Sequence, residues 1–162
     1  MSRVFRKGAV GAMMDEYERA VVEISDLIAK MDSYDFEAVR DRETKDEDCR
    51  SIQTVMRHVV RAGYGYAAMI RTAYGDETPR PEVPLATPPE VRVQLAEMMA
   101  FNEATLADKW ELSDEGIQAV EIPARWGPTY DLEQLLEHAI VHVLRHRRQI
   151  ERFLTEPQFR PD

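Results

Sequence analysis

The chain has 162 residues, of which 44% are hydrophobic, and a formal net charge of -9. This length is sufficient for one domain with a buried core, and we expect that domain to span residues 1–162. The acidic balance argues against a nucleic-acid partner, because binding to a phosphate backbone rests on basic patches. No run of about 18 or more apolar residues occurs, so no membrane partner or membrane span is expected.

The compartment is indicated by the cysteine content and the N-terminus. Cys49 is the single cysteine, so the chain has no intramolecular disulfide, as suits a reducing cytoplasm. Near the N-terminus, basic residues precede a small apolar patch, but Asp15 and Glu16 interrupt it too early for a signal peptide. We therefore expect a cytoplasmic protein.

The first predicted element is an amphipathic helix over residues 8–31, where apolar residues recur at helical spacing with charged residues between them. Residues 32–49 are charge-rich and only weakly periodic, and they predict a loop that can contain one short helical turn. The acidic run in this loop, Asp46, Glu47 and Asp48, favours a solvated helix start over a cation site.

A second helix is predicted over residues 50–73, again from apolar residues at helical spacing. His58 lies beside its apolar stripe. Taken alone, this residue is explained as an ordinary titrating or hydrogen-bonded histidine. Gly63 and Gly65 lower the helix propensity of the segment, and we expect them to permit close helix packing.

A proline-rich connection precedes the third helix. Residues 74–87 contain three prolines and predict an extended link. At about 3.1 Å per residue, such a link can run along a bundle of roughly 30 Å, so the helices that it joins can be parallel. The third helix is predicted over residues 87–110, because Thr87 is a suitable N-cap, Pro88 suits the first turn and Glu90 occupies the third helical position.

A second long connection, residues 112–130, leads to the last helix and contains no predicted strand. Long loops in compact domains are often functional, so we expect this one to cover the histidine-bearing end of the bundle. The fourth helix is predicted over residues 131–154, where Asp131 and Gln134 have the spacing of a capping box.

Three of the four histidines, His138, His142 and His146, follow one another at four-residue steps in this last helix. They therefore lie along one helix face, at the edge of its apolar stripe. Histidines beside a core each need a partner, which is either a hydrogen-bonding group or a shared metal ion. A His-x-x-x-His pair directs two rings at one cation, but such a site needs a third ligand from elsewhere.

Four amphipathic helices without a predicted strand indicate an all-α four-helix bundle. Residues 156–162, which contain two prolines, predict a C-terminal tail.

The segments SIQTVMRHVVRAGYGY and LLEHAIVHVLRHRRQI together resemble the DinB/YfiT-like family of bacterial metal-binding four-helix bundles. HVLRHRRQI is similar to the family's His-x-x-x-His-Arg-Gly-Gln-Ile signature, and the resemblance covers most of the chain. It implies an up-down-down-up bundle, in agreement with the long proline-bearing link. One departure is Arg148, which occupies a position where the family favours glycine, and we expect it to change local packing or a subunit contact.

The resemblance implies that His58, His142 and His146 bind a divalent metal ion. His138 matches a histidine one turn earlier that is not usually a ligand. Three protein ligands leave positions open for water or substrate, as in catalytic sites. We expect zinc or nickel, and iron is also compatible, because histidine nitrogen suits several metals.

Relatives brought in by the resemblance include thiol-dependent transferases and isomerases that use bacillithiol, mycothiol or glutathione, and proteins assigned as metal-dependent hydrolases. We therefore expect a hydrolase or a thiol-dependent S-transferase or isomerase that acts on a small molecule, with a low-molecular-weight thiol as an additional cofactor. No carboxylate is placed as a general base; Glu137 is a candidate, but its helical position points outward.

Two alternatives remain open at this point. The first is a non-catalytic bundle in which the metal or histidine cluster stabilises a helix pair or an oligomer, and a fourth protein ligand such as His138 would favour it. The second is an acidic interaction protein without a metal.

A homodimer is also expected, because bundles of the resembled family commonly pair. In addition, four aromatic residues near helix ends and termini would be difficult to bury in a monomer: Phe5, Tyr64, Tyr74 and Phe159.

Overall fold

Four long helices carry the fold in the computed structural model, which describes residues 4–155. The predicted tail at 156–162 and Phe159 lie outside the described residues. The elements in chain order are α1 (Gly8–Ile28), α2 (Ser33–Glu37), a 3-10 turn (Glu47–Cys49), α3 (Ile52–Ala73), α4 (Pro88–Leu106), α5 (Asp114–Gln118), β1 (Ile122–Pro123), β2 (Thr129–Tyr130) and α6 (Leu132–Thr155).

Local hydrogen bonds define where the later helices begin, as the sequence predicts for two of them. Before α4, the Glu90 carboxylate accepts hydrogen bonds from the Thr87 backbone N–H at 2.8 Å and from its hydroxyl at 2.7 Å. Before α6, the Gln134 N–H donates to the Asp131 carboxylate at 2.8 Å, and the Asp131 N–H donates to the Gln134 side-chain oxygen at 3.1 Å. Both capping boxes are therefore confirmed.

Two helices end earlier than predicted. The predicted helix over 8–31 ends at Ile28, and the predicted helix over 87–110 ends at Leu106. After each end, a tighter backbone bond replaces the helical pattern: Met31 N–H donates to the Ile28 carbonyl and Lys109 N–H to the Leu106 carbonyl. The apolar spacing continues through these turns, so periodicity alone overestimates the helices.

Side-chain contacts between the long helices fix their directions. Arg6, just before α1, pairs with Glu103 near the end of α4. Arg92, near the start of α4, donates to Ser25 near the end of α1. The two helices are therefore antiparallel.

Helices α3 and α4 run in the same direction. Gln53 at the start of α3 donates to the carbonyl of Ala86, which directly precedes α4. Arg71 at the end of α3 donates to Thr105 at the end of α4. Helix α6 is antiparallel to α3, since His58 contacts His146, whereas Tyr66, two turns later on α3, contacts His138, two turns earlier on α6. The four long helices thus form an up-down-down-up bundle, as expected.

The bundle core is built from the apolar stripes of these helices, with α1 against α4 and α6, and α3 against α4 and α6. Gly63 of α3 lies where a Cβ would be 2.4 Å from the Met98 sulfur of α4, so the predicted close packing is confirmed at this glycine. The largest fully buried side chains are Tyr17, Phe36, Phe153, Met14, Ile24, Ile28, Ile52, Met56, Ile70, Leu95, Met98 and Leu106.

The connection between α4 and α6 differs from the prediction, because it contains a short helix and a two-stranded ribbon. Ile122 pairs with Tyr130 and Pro123 with Thr129 in antiparallel register. Ile122 is 1% exposed and thereby anchors the ribbon to the bundle, while Gly127 at φ 122° allows the turn. Strands of two residues carry no detectable alternation in sequence.

None of the helices within residues 4–155 combines the length and hydropathy needed to cross a bilayer.

Candidate metal centre

Three histidines from two helices meet in one cluster, although His58 and His142 are 84 residues apart in sequence. The Nε2 atoms of His58 and His142 are 2.9 Å apart, and those of His142 and His146 are 3.3 Å apart. One ligand atom from each residue lies within 4.8 Å of the others, which is a group that could hold a metal ion. We call these three residues the histidine cluster.

Helix geometry explains this convergence. His142 and His146 are one turn apart on α6, so their rings project from the same face. Because α3 runs antiparallel beside α6, His58 in the first half of α3 lies opposite the middle of α6, where His142 and His146 lie. The ring centroid of His58 is 4.9 Å from that of His142 and 5.0 Å from that of His146.

The outer ring nitrogens have partners that orient two of the imidazoles. His146 Nδ1 lies 2.9 Å from the side-chain oxygen of Gln149, one turn further along α6. His58 Nδ1 lies 3.4 Å from a carboxylate oxygen of Asp48. This second contact is not aligned as a hydrogen bond, and we treat it as an electrostatic contact. Gln149 accepts a hydrogen bond from Nδ1–H of His146, and the negative charge of Asp48 favours a proton on Nδ1 of His58. In both rings the lone pair is then on Nε2, which faces the cluster.

The path of the loop before α3 brings Asp48 to this position. A bridge between Val39 and Ser51 closes the loop, and the 3-10 turn that contains Asp48 packs against α3. Asp48 also forms an ion pair with Arg61, one turn after His58. The expectation that the acidic run is a solvated helix start applies to Asp46, which caps the turn, but is incomplete for Asp48.

The environment of the cluster favours neutral imidazoles. Burial, together with the neighbouring rings of His146 and His58, lowers the pKa of His142 to about 3. Burial also lowers the pKa of His146, although its hydrogen bond to Gln149 acts in the opposite direction. Neutral imidazole is the form that binds metal ions.

The donor set fits a metal ion. A single Nε2 can make one hydrogen bond, yet the Nε2 of His142 has two ring nitrogens within 3.3 Å. Two nitrogens that each bind an ion at about 2.0–2.1 Å in tetrahedral geometry are about 3.3 Å apart. A cation between the inward lone pairs would satisfy all three rings at once. The residues present therefore fit a histidine-bound divalent metal.

His138 lies outside the histidine cluster. Its ring centroid is 6.4 Å from that of His142, and its Nδ1 lies 3.5 Å from the Tyr130 hydroxyl. Trp126 stacks on the His138 ring at 5.1 Å and 23°, so the second long connection covers this end of the bundle, as expected. Among residues 4–155, no fourth His, Cys, Asp or Glu joins the three-histidine group.

The single cysteine lies near the cluster without being activated. The thiol of Cys49 donates to an Asp46 carboxylate oxygen at 3.4 Å. Burial raises the pKa of Cys49, and the neighbouring carboxylates add to this effect, while the side chain of Gln149 acts to lower the pKa. A thiol in this state is a weak nucleophile at neutral pH.

A pocket of about 580 Å³ adjoins the cluster, with His58 and His142 in its wall. Helix α3, the link over 74–87, the β1–β2 ribbon and α6 line it. Its volume is typical of small-molecule sites. Glu137, the candidate base, is exposed and does not line this pocket.

Two residues that support the cluster were not predicted. Gln149 could have been found, because it lies three residues after His146 on the same helix and its amide is a suitable ring partner. Asp48 could not, since its position depends on the path of a loop without periodicity.

The fold and the cluster define a class of protein: an all-helical bundle with three convergent histidines beside an open pocket. The family model of the DinB superfamily matches residues 17–150, and the chain belongs to this superfamily. The matched range contains the whole histidine cluster. Comparisons with curated proteins and with solved structures found no match to this chain.

Proposed function

We propose that this protein is a metal-dependent enzyme that binds a divalent ion through His58, His142 and His146 and acts on a small molecule in the adjoining pocket. The observation that carries the proposal is the convergence of three ring nitrogens at the wall of a pocket without a fourth protein ligand in the described residues. Open three-ligand sites are typical of catalytic metals, whereas structural zinc is usually closed by four ligands.

The chain's own residues have distinct roles in this proposal. Gln149 and Asp48 orient the rings of His146 and His58. The aromatic side chains of Trp126 and Tyr66 line the pocket and exclude water from part of it. A bound divalent ion would lower the pKa of a coordinated water or thiol, which would then be a nucleophile at neutral pH.

Zinc or nickel is the metal that we propose, with iron as a further candidate, because neutral imidazole suits all three. The reaction class is hydrolysis or thiol-dependent S-transfer or isomerisation, with a low-molecular-weight thiol as cofactor in the second case. Superfamily membership supports this range without selecting within it, since one fold hosts many reactions. A non-catalytic role for the metal is less well supported, because His138 does not close the site.

An assay of metal-loaded protein tests the proposal. Untagged protein is stripped with a chelator, reloaded separately with zinc, nickel or iron, and assayed with glutathione, bacillithiol and mycothiol against a panel of electrophiles, and with ester and amide substrates without thiol. We expect turnover with at least one metal and none in the stripped protein. The His142→Ala variant, assayed under the same conditions, is the matched control.

Two results contradict the proposal. One is turnover that is equal in the stripped, reloaded and His142→Ala proteins. The other is stoichiometric metal binding without any metal-dependent turnover across the panels, which would favour the non-catalytic alternative.

We also propose that the chain is a cytoplasmic homodimer. Phe5 is 66% exposed and Tyr74 is 41% exposed, so these two residues support the interface argument. Tyr64 does not, because it is 5% exposed and packs against Phe101 within the same chain. Light scattering is expected to give twice the monomer mass of 18.7 kDa. A mass that stays at the monomer value as the protein is concentrated contradicts the dimer.

A further inference from the structure

The pocket beside the histidine cluster has an unusual charge for this chain. The sequence contains 30 acidic and 21 basic residues, yet no Asp or Glu lines the pocket in the described part of the chain. Three arginines do line it, and they come from three separate segments: Arg61 of α3, Arg80 of the link and Arg125 of the β1–β2 turn. A cationic pocket on an acidic protein requires a specific explanation.

The three arginines differ in their partners. Arg61 forms an ion pair with Asp48 and is thereby neutralised. Arg80 donates only to the backbone carbonyl of Arg61, at 3.3 Å, and no carboxylate within residues 4–155 contacts it. Arg125 is exposed and likewise has no carboxylate partner there. Neither of these two guanidinium groups is neutralised by a carboxylate, and each keeps N–H donors for an anion.

The Arg80 guanidinium lies over a glycine of α3. Helix α3 has Gly65 in its interior, where glycine costs stability relative to alanine. A Cβ at this position would lie 3.5 Å from the Arg80 guanidinium, in van der Waals contact with it. Close helix packing, which the sequence analysis expected at Gly65, is found only at Gly63. The bare helix surface at Gly65 instead lies beneath the arginine.

The rest of the lining is largely apolar and aromatic. It includes Trp126, Tyr66, Met69 and Ile122, and the Tyr66 and Trp126 rings meet edge to face at 6.1 Å. Such a surface suits an apolar or aromatic body, while unpaired guanidinium groups suit a carboxylate or a phosphate. A volume of about 580 Å³ limits the ligand to a small molecule.

We propose that this pocket binds a small organic anion with an apolar or aromatic body, and that Arg80 and Arg125 recognise its anionic group. The inference deepens the proposed function, on which it rests, by assigning a substrate class to the pocket of the same site. Because His58 and His142 form another part of the wall, an anion anchored by the arginines is retained beside the histidine cluster.

Calorimetric titration of metal-free protein tests this assignment without contribution from a bound ion. The probes are 4-phenylbutyrate, phenyl phosphate and the uncharged 4-phenyl-1-butanol. We expect at least one anion to bind more tightly than the alcohol by about fivefold, since an exposed ion pair contributes up to about that factor. The Arg80→Ala/Arg125→Ala double variant is expected to lose this preference.

Two variants serve as controls. Arg42→Ala/Arg148→Ala removes the same charge from exposed arginines outside the pocket and is expected to keep the preference. Arg125→Lys keeps the charge and is expected to retain part of it. Equal binding of the three probes, no binding of any probe at millimolar concentration, or an unchanged preference in the pocket double variant would each overturn the proposal.

Failure here is distinguishable from failure of the proposed function. Metal content and turnover are measured on reloaded protein and test the histidine cluster. Anion preference is measured on stripped protein and tests only the arginines.

Discussion

Two polar clusters in this bundle bring together residues that are remote in sequence, and they are satisfied in different ways. At one end, Arg6 binds Asp15 at 2.5 Å, Glu18 at 3.1 Å and Glu103 at 3.0 Å, so a cation is surrounded by carboxylates. We call this set the Arg6 cluster. Desolvation disfavours the charge, but the three hydrogen bonds outweigh it and raise the pKa of Arg6.

The histidine cluster lacks this internal complementarity. The Nε2 atoms of its three rings face one another. Burial and the neighbouring rings disfavour a proton on His142, which is the central residue. The Arg6 cluster is complete within the chain and stabilises the fold. In the proposed function a cation completes the histidine cluster, and this difference separates a structural polar cluster from a candidate functional one.

The largest expected effect is on metal binding by the central histidine. His142→Ala is expected to weaken zinc or nickel binding by more than about a hundredfold, because changes to mere supporting residues already cost about 10- to 100-fold. Titration with each metal after chelator treatment measures the loss. His138→Ala, one turn earlier on the same helix, is the matched control and is expected to keep most of the affinity. If His138→Ala loses the ion and His142→Ala keeps it, the ligand assignment is wrong by one turn.

Substitutions in the Arg6 cluster are expected to change the stability of the fold and to leave metal affinity unchanged. Asp15→Ala should lower the free energy of unfolding by about 2 kcal/mol, because it removes a partner from a largely buried cation. Metal affinity should not change. Denaturant titration measures the first quantity, with Glu103→Ala as the control, since the Glu103 side chain is 54% exposed and contributes less. A larger effect of Asp15→Ala on metal affinity than on stability would contradict the separation of the two clusters.

A smaller loss of metal affinity is expected when Gln149, which orients the His146 ring, is removed. Gln149→Leu deletes the acceptor for His146 Nδ1 and is expected to weaken metal binding about tenfold. Val141→Leu, at an exposed position on the same helix with no assigned role, serves as a control for substitution on α6. Equal metal affinity in the Gln149→Leu and wild-type proteins would show that this contact does not orient a ligand.

The pH dependence of stability should also reveal the histidine cluster. His142 has a pKa of about 3 in the fold, against an ordinary histidine pKa of 6.5, so the unfolded chain binds its proton first as pH falls. Stability of metal-free protein is therefore fully present above about pH 6.5 and declines towards pH 3, by at most about 1.4 kcal/mol per pH unit from this group. His142→Ala should show a shallower decline in thermal or denaturant unfolding. Identical slopes in the two proteins would contradict a buried, neutral His142.

The sequence predicts the helical part of this structure well, because burial imposes a period on residues such as Val55, Val59 and Ile70 of α3. The α6 face that bears His142 and His146 follows from the same period. Spacing alone did not select His58 as their partner; that assignment came from the family resemblance.

The parts that escaped prediction lie in segments without a period. Asp48, Arg80 and Arg125 take their positions from a closed loop, an extended link and a ribbon turn. Their neighbours are set by tertiary contacts that no local spacing encodes. The charge of the pocket was therefore visible only in three dimensions.

The most direct test of the central claim is a crystal structure of zinc- or nickel-loaded protein, with the ion located by its anomalous scattering. The account predicts one ion per chain, bound by the Nε2 atoms of His58, His142 and His146 at about 2.0–2.2 Å. The remaining positions should be filled by water or a small ligand. An ion bound by His138, a fourth protein ligand that closes the site, or no ordered ion at the histidine cluster would contradict it.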